Sequence, residues 1–126
     1  MVPLLIFDLD GTLVDSKKDL AVSVNYVRQQ FGLPPLSDVA VAQYIGNGAQ
    51  MLVRGALGPG RSDQDVADGL KLFLSYYREH MLDHTVLYPG VVETLDRLSH
   101  CRLAVLTNKP VKFSCAMLQG LGVFDR

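Results

Sequence analysis

The sequence predicts an α/β fold, and two features of its patterning support this prediction. Two short apolar runs, residues 4–7 and 103–106, are each followed by polar residues and then by a helical pattern. Continuously apolar runs of this length are typical of strands buried on both faces of a parallel sheet. A long segment of helical periodicity separates the two strand–loop–helix units. We therefore expect a parallel-sheet core interrupted by a helical insertion.

The first strand is followed directly by two carboxylates, Asp8 and Asp10. Ligands bind at the carboxyl ends of strands in open α/β sheets, and residues i and i+2 of an extended chain point to the same side. Gly11 allows a sharp turn and a close approach by a ligand. Thr12 offers a hydroxyl and free N–H groups to an anion. This segment is therefore the main candidate site.

The two carboxylates suit phosphoryl transfer. Asp8 can attack phosphorus to give an aspartyl-phosphate, which divides one difficult hydrolysis into two easier steps. Asp10 is close enough to protonate the leaving oxygen and later to take a proton from water. A phosphate dianion beside two acids requires positive charge, and Mg²⁺, which prefers oxygen ligands, is implied, with Asp8 and Asp10 as its ligands.

An alternative interpretation treats Asp10-Gly11 as a β-hairpin turn with solvated acids. No alternating strand pattern follows Gly11, and a helical pattern begins instead. The hairpin interpretation therefore lacks its second strand.

Four helices are expected in the insertion. Ser16, with Asp19 three residues later, is typical of a capped helix start, and Gly32 is typical of its end. Ser37 begins a second helix that ends near Tyr44. A third helix runs to the breaker at residues 58–60, and Ser62 caps a long fourth one. Its apolar stripe predicts a four-helix bundle over residues 15–88.

The remaining chain repeats the strand–loop–helix pattern. Residues 88–90 form a break, and a helix with an apolar face follows. The second strand, 103–106, leads into the polar loop 107–110 and then a helix over 111–121. Repetition of this unit is the second argument for a parallel sheet.

The composition is that of an ordinary globular protein and gives no sign of particular partners. The chain of 126 residues is 48% hydrophobic, has a net charge of −1 and a pI near 6.2. These values give no reason to expect nucleic acid or an anionic membrane as a partner. No stretch is long and apolar enough to span a bilayer, so a cytoplasmic location is predicted. The oligomeric state is not indicated.

The string FDLDGTLVDS at residues 7–16 resembles the first motif of the haloacid-dehalogenase-like superfamily of phosphatases. LTNKP at residues 106–110 resembles the second motif of that superfamily. The resemblance implies that the Thr107 hydroxyl and the Asn108 backbone bind the substrate phosphate. Asp10 is the acid that phosphatases and phosphomutases of the family need, so the resemblance implies phosphoryl transfer.

The resemblance also implies the domain organisation. Residues 1–14 and 89–126 would form a partial Rossmann-like core domain, and residues 15–88 would form the helical cap domain. IGNGAQMLVRGALG at residues 45–58, together with TNKP, is most similar to the subfamily of phosphoglycolate phosphatases. The substrate expected from this similarity is a small phosphorylated metabolite, 2-phosphoglycolate.

Three residues of the expected cap are candidates for substrate binding. Gly46 and Gly48 would let the backbone of the cap approach the site. Arg54 could pair with a small carboxylate, as arginine does bidentately, although a solvated helix position is the alternative. Lys109, at the end of the second strand, could supply positive charge, but the family pattern gives it no such role.

Two further motifs of the family have no match in the chain. They supply a lysine that contacts nucleophile and phosphate, and one or two acids that complete the Mg²⁺ site. We therefore expect the N-terminal portion of a longer phosphatase. A phosphomutase of the same superfamily and a non-catalytic phosphate-binding or interaction fragment are the alternatives.

Overall fold

The computed structural model describes residues 2–126. It contains four strands and six helices in the described chain. In order these are β1 (Leu4–Phe7), β2 (Val14–Asp15), α1 (Lys17–Gln30), α2 (Asp38–Ala42), α3 (Ala49–Leu57), α4 (Asp63–His80), β3 (Val86–Leu87), α5 (Val91–Arg97), β4 (Arg102–Val105) and α6 (Val111–Gly120).

The strands form two small sheets. β1 pairs with β4 in parallel, with Leu4 opposite Arg102 and Phe7 opposite Val105, which confirms the predicted parallel pairing. β2 and β3 pair antiparallel, so the chain entering the helical segment before α1 lies beside the chain leaving it after α4. The second sheet was not predicted, because strands of two residues are too short to show periodicity.

The prediction that β1 is buried on both faces is wrong for this chain. Leu4 and Ile6 on one face are 51% and 59% exposed. The opposite face, which carries Phe7 and Val105, packs towards Leu95 of α5 and Leu118 of α6. Both neighbouring helices lie on one side of the sheet, so the other face has no cover within residues 2–126.

Two of the three predicted helix caps are confirmed. The Ser37 hydroxyl accepts a hydrogen bond from Ala40 N–H, and the Ser62 hydroxyl accepts one from Asp65 N–H. Ser16 does precede α1, but its side chain makes no capping bond. Its hydroxyl donates to Asp10 instead, and Asp19 turns into the protein interior.

Most of the buried side chains belong to the helical segment. α1 packs against α2, α3 and α4, and α3 also packs against α4. The apolar cluster continues without interruption into the loop after β1, through Leu9 and Leu13, and into α6, through Met117. The division into domains at residues 14/15 and 88/89 stays a prediction.

No helix in the described part of the chain is long and apolar enough to cross a membrane.

Candidate functional site

The loops after β1 and β4 meet at one edge of the parallel sheet. Parallel strands place their carboxyl ends at the same edge, so the sequence order alone brings Asp8 and Asp10 near Thr107 and Asn108. All four residues line a single cleft. The structure thereby unites the acids of the first loop with the polar residues of the second.

The two acids lie in different environments. Asp8 is exposed, and its Oδ1 accepts a hydrogen bond from Leu9 N–H at 2.8 Å. Asp10 is held more tightly, since its Oδ1 accepts from the Ser16 hydroxyl at 2.6 Å. Its Oδ2 lies 3.4 Å from Lys109 Nζ. Asp8 is therefore open to a ligand, while Asp10 is fixed at both oxygens.

Lys109 is the basic group of the cleft. Its Nζ donates to the Tyr77 hydroxyl at 2.7 Å and lies 4.4 Å from the centre of the Tyr77 ring. Burial lowers the pKa of Lys109, and the nearby Asp10 carboxylate opposes this effect. Burial is also the main reason why the pKa of Tyr77 is raised. Tyr77 therefore stays protonated and can serve as a hydrogen-bond partner.

Lys109 and Tyr77 are hard to recognise as site residues in the sequence. Tyr77 lies in the apolar stripe of α4, a position that predicts core packing, and it is indeed 1% exposed, but its hydroxyl belongs to the site. Its place in the apolar stripe of α4 concealed this second role. Lys109 was more accessible to prediction, because it follows the end of β4 at the same sheet edge as Asp10.

The loop between α2 and α3 forms the opposite wall of the cleft. Asn108 Nδ2 donates to Gly46 O at 2.7 Å. A Cβ atom at Gly48 would lie 3.6 Å from Asn108 O, and the φ of Gly48 is +91°. The predicted close approach of this loop to the site is therefore present in the structure.

Apolar side chains complete the walls of the cleft and come from several helices and the loop before α3. They are Leu20, Ile45, Ala49, Leu52, Phe73, Leu74, Pro110 and Phe113.

Gly11 and Thr12 lie beside the cleft but do not line it. Gly11 has a φ of +84°, as the predicted sharp turn requires. Its N–H donates to Val14 O at 2.9 Å, and Thr12 N–H donates to Leu9 O at 3.2 Å. The expectation of free N–H groups at Thr12 is therefore wrong, because the turn itself uses them.

Arg54 also lies outside the cleft. α3 buries Leu52, Val53 and Ala56, so Arg54 falls on the outer face of this helix. Its guanidinium lies 3.4 Å from Asp63, and it lines a different pocket with Tyr44 and Arg61. The structure thus favours the alternative interpretation of Arg54 as a solvated helix residue.

The sequence profile described as haloacid dehalogenase-like hydrolase matches residues 5–125. The chain belongs to this family. The match includes both loops of the cleft and the helical segment between them, and it confirms the resemblance seen in the two motifs.

Two curated relatives of this haloacid dehalogenase-like hydrolase are similar to it over most of the chain. A phosphoglycolate phosphatase of Pseudomonas putida is 44% identical over 95% of this chain and 46% of its own length. A phosphoglycolate phosphatase of Vibrio vulnificus strain CMCP6 is 41% identical over 98% of this chain and 58% of its own length. The chain thus spans about half the length of the curated relatives that it matches.

A solved structure has the same fold. The crystal structure of a predicted phosphoglycolate phosphatase from Haemophilus somnus superposes with a TM-score of 0.88 at 35% identity. The match covers 98% of this chain and 59% of that one. The α/β fold with a parallel sheet is therefore that of known haloacid dehalogenase-like hydrolases.

The cleft of this haloacid dehalogenase-like hydrolase contains carboxylate oxygens, which are ligands that Mg²⁺ prefers. Within residues 2–126, no group of three or more His, Cys, Asp or Glu side chains could hold a metal ion. Mg²⁺ is usually bound through one or two carboxylates together with waters and substrate phosphates. Asp8 and Asp10 supply two carboxylates in one cleft, which is the number that such a magnesium site usually takes from the protein.

Proposed function

We propose that the protein is a Mg²⁺-dependent phosphomonoester hydrolase that acts on 2-phosphoglycolate. The observation that carries this proposal is the meeting of Asp8 and Asp10 with Thr107 and Asn108 in one cleft. The names of the curated relatives support the choice of substrate. Because the chain spans about half the length of those relatives, the proposal concerns the activity of the whole protein.

Asp8 would act as the nucleophile. Its exposed carboxylate oxygen forms a bond to phosphorus while the bond from phosphorus to the glycolate oxygen breaks. Asp10 donates a proton to that leaving oxygen. In the second step Asp10 takes a proton from the water that attacks phosphorus, which releases inorganic phosphate and regenerates Asp8.

Thr107 and Asn108 would bind the phosphoryl group. Thr107 Oγ1 accepts a hydrogen bond from Lys109 N–H at 3.1 Å, so its own hydroxyl proton remains available to a phosphate oxygen. The Asn108 side chain donates to Gly46, which leaves its backbone N–H as the group for the phosphate. These bonds are consistent with the roles that the family resemblance implies.

Asp8 and Asp10 would hold the magnesium ion. When bound, the ion would neutralise the negative charge that accumulates on the phosphoryl oxygens. The protein side chains would then only need to orient the substrate and move protons.

The test is Mg²⁺-dependent release of phosphate from 2-phosphoglycolate by the purified whole protein. We expect Asp8→Asn to remove turnover and Asp10→Asn to lower it by roughly 10²–10⁴-fold, the usual contribution of general acid–base catalysis. Asp15→Asn is the matched control, because Asp15 lies in the same segment but does not line the cleft. Equal activity in all three variants would contradict the proposal.

A phosphate-binding module without turnover is the second candidate. It is favoured by the absence of a third acidic or other metal-binding side chain beside the two aspartates in residues 2–126. Binding of inorganic phosphate by a folded chain that shows no turnover, with or without Mg²⁺, would favour this candidate. A phosphomutase activity stays a prediction.

A further inference from the structure

Lys109 has no part in the mechanism above, yet the structure buries it at the site. Its side chain is 5% exposed. Its Nζ contacts Asp10 Oδ2 at 3.4 Å, the Tyr77 hydroxyl at 2.7 Å and the face of the Tyr77 ring. A lysine loses considerable rotamer freedom on burial, so three contacts at one nitrogen indicate a fixed ammonium group rather than a mobile surface charge.

Lys109 completes the support of Asp10. The Ser16 hydroxyl binds one carboxylate oxygen, and Lys109 faces the other. A general acid must lie within hydrogen-bond reach of the atom that it protonates, and a displacement of about 1 Å can cost roughly 100-fold in rate. The two contacts together restrict rotation of the Asp10 carboxylate.

Tyr77 is itself held firmly. Its ring stacks on Phe73, with ring centres 5.3 Å apart, and packs nearly perpendicular to the ring of Phe113, with ring centres 5.8 Å apart. Because the ring cannot move far, the hydroxyl gives Lys109 a fixed partner. Tyr77 lies on α4 in the helical segment, whereas Lys109 follows β4, so this contact joins two distant parts of the chain.

We propose that Lys109 is a positioning residue for Asp10 and that Tyr77 anchors it, so that the packing of α4 against the loop after β4 determines how the acid–base group is presented. The inference rests on the proposed function, in which Asp10 transfers the protons. Lys109 would therefore affect catalysis only through Asp10 and would not contact the substrate.

The first test compares rates on 2-phosphoglycolate at saturating Mg²⁺. Lys109→Met keeps most of the apolar chain and removes the charge, and Tyr77→Phe keeps the ring and removes the hydroxyl. We expect Lys109→Met to lower kcat about 10- to 100-fold, the range usual for groups that orient a reacting residue, with KM nearly unchanged. Tyr77→Phe should lower kcat less, and the double variant should be no slower than Lys109→Met alone.

Lys112→Met is the matched control. Lys112 is an exposed lysine on α6, three residues further along the chain, and its removal should leave kcat and KM as they are. A rise in KM with kcat unchanged in Lys109→Met would indicate direct substrate binding and overturn the proposal. Losses that add up in the double variant would also overturn it.

A second measurement does not require turnover. Urea midpoints of Lys109→Met, Asp10→Asn and the double variant form a cycle that isolates the coupling of the two side chains. We expect the shift in the double variant to differ from the sum of the single shifts. Additive shifts would overturn the positioning role. Coupled shifts in a whole protein that is folded but shows no turnover would support the Lys109–Asp10 link and count against the proposed hydrolysis instead.

Discussion

At the scale of single residues, Asp19 connects the two ends of the helical segment. It lies on α1 and is 2% exposed. Its carboxylate accepts hydrogen bonds from the backbone N–H groups of His84 and Thr85, each at 2.8 Å, and from the Thr85 hydroxyl at 2.7 Å. His84 Nδ1 lies 2.8 Å from its other oxygen. Asp19 therefore fastens the chain that leaves α4 to the helix that begins the segment.

Replacing Asp19 by asparagine should destabilise the fold. An amide keeps one acceptor oxygen for the three donors of His84 and Thr85, but it loses the negative charge that strengthens their hydrogen bonds, and it replaces the acceptor beside His84 Nδ1 by an NH2 group. We expect Asp19→Asn to lower the free energy of unfolding by about 2 kcal/mol near pH 7, as is usual for hydrogen bonds to a charged group. Urea unfolding measures the change, with the exposed Asp68→Asn as control.

The effect of Asp19 should depend on pH. Burial alone would raise the pKa of Asp19, but the hydrogen bonds from His84 and Thr85 outweigh it and leave the pKa below its usual value. A lowered pKa in the folded state means that the stabilisation is present above the unfolded pKa, about 3.9, and is lost as pH falls through the folded value. The gap in stability between the native chain and Asp19→Asn should therefore narrow in acid. A gap that stays constant down to about pH 2 would contradict this assignment.

Residues at strand ends were the easiest to predict. Asp8, Asp10, Thr107 and Asn108 follow apolar runs, and parallel strands bring such positions together. Asp19 was missed as a buried group because its spacing from Ser16 fits a capping box, and only the distant His84 and Thr85 show where it points. The sequence left Arg54 with two interpretations, because a local sequence does not specify which face of α3 meets the site.

At the scale of elements, α4 approaches α1 and α3 closely at a glycine. Gly69 is buried, and a Cβ atom there would lie 3.0 Å from Val53 Cγ1 and 3.2 Å from Leu57 Cδ1. Val27 of α1 lies on the third side at 3.4 Å. The absence of a side chain at this position therefore sets the distance between the helices.

Gly69→Val should disturb this packing. The added isopropyl group has no space between Val53 and Leu57, and overpacking of this kind typically costs about 1–3 kcal/mol. Ala67→Val, on the exposed side of the same helix, should cost less than about 1 kcal/mol through helix propensity alone. Urea unfolding of both variants tests the difference, and equal losses would show that Gly69 is not a packing constraint.

Helices and the long strands were predictable at this scale, whereas the β2–β3 pair was not. Helical periodicity and serine caps identified α2 and α4, and continuous apolar runs identified β1 and β4. The pairing of Val14 with Leu87 depends on the return of the chain after more than seventy residues. No local pattern in the sequence records such a contact.

At the scale of the whole molecule, the hydrophobic core lies mainly among the helices. Phe73 is 2% exposed, whereas Ile6 on the open face of the sheet is 59% exposed. Parallel sheets normally have both faces covered, so the sequence pattern predicted burial that residues 2–126 do not provide. The pattern identified the strand correctly but could not show which of its faces this chain covers.

This distribution predicts that replacing a buried and an exposed apolar side chain by alanine will lower the free energy of unfolding by very different amounts. Phe73→Ala should lower the free energy of unfolding by about 3–5 kcal/mol, as is usual for a buried aromatic side chain. Ile6→Ala should lower it by less than about 1 kcal/mol, because much of the side chain is already in water. Chemical denaturation distinguishes the two, and a similar loss in both variants would mean that the open face is covered in solution.

In the proposed mechanism Asp8 forms a covalent bond to the phosphoryl group of the substrate. Acid quenching of the protein during reaction with ³²P-labelled 2-phosphoglycolate, followed by peptide mapping, detects this bond. Label should appear on the peptide that contains Asp8 and should be missing in Asp8→Asn, whereas Asp15→Asn should be labelled as the native chain is. Release of labelled phosphate with no label on that peptide at any quench time would contradict this mechanism.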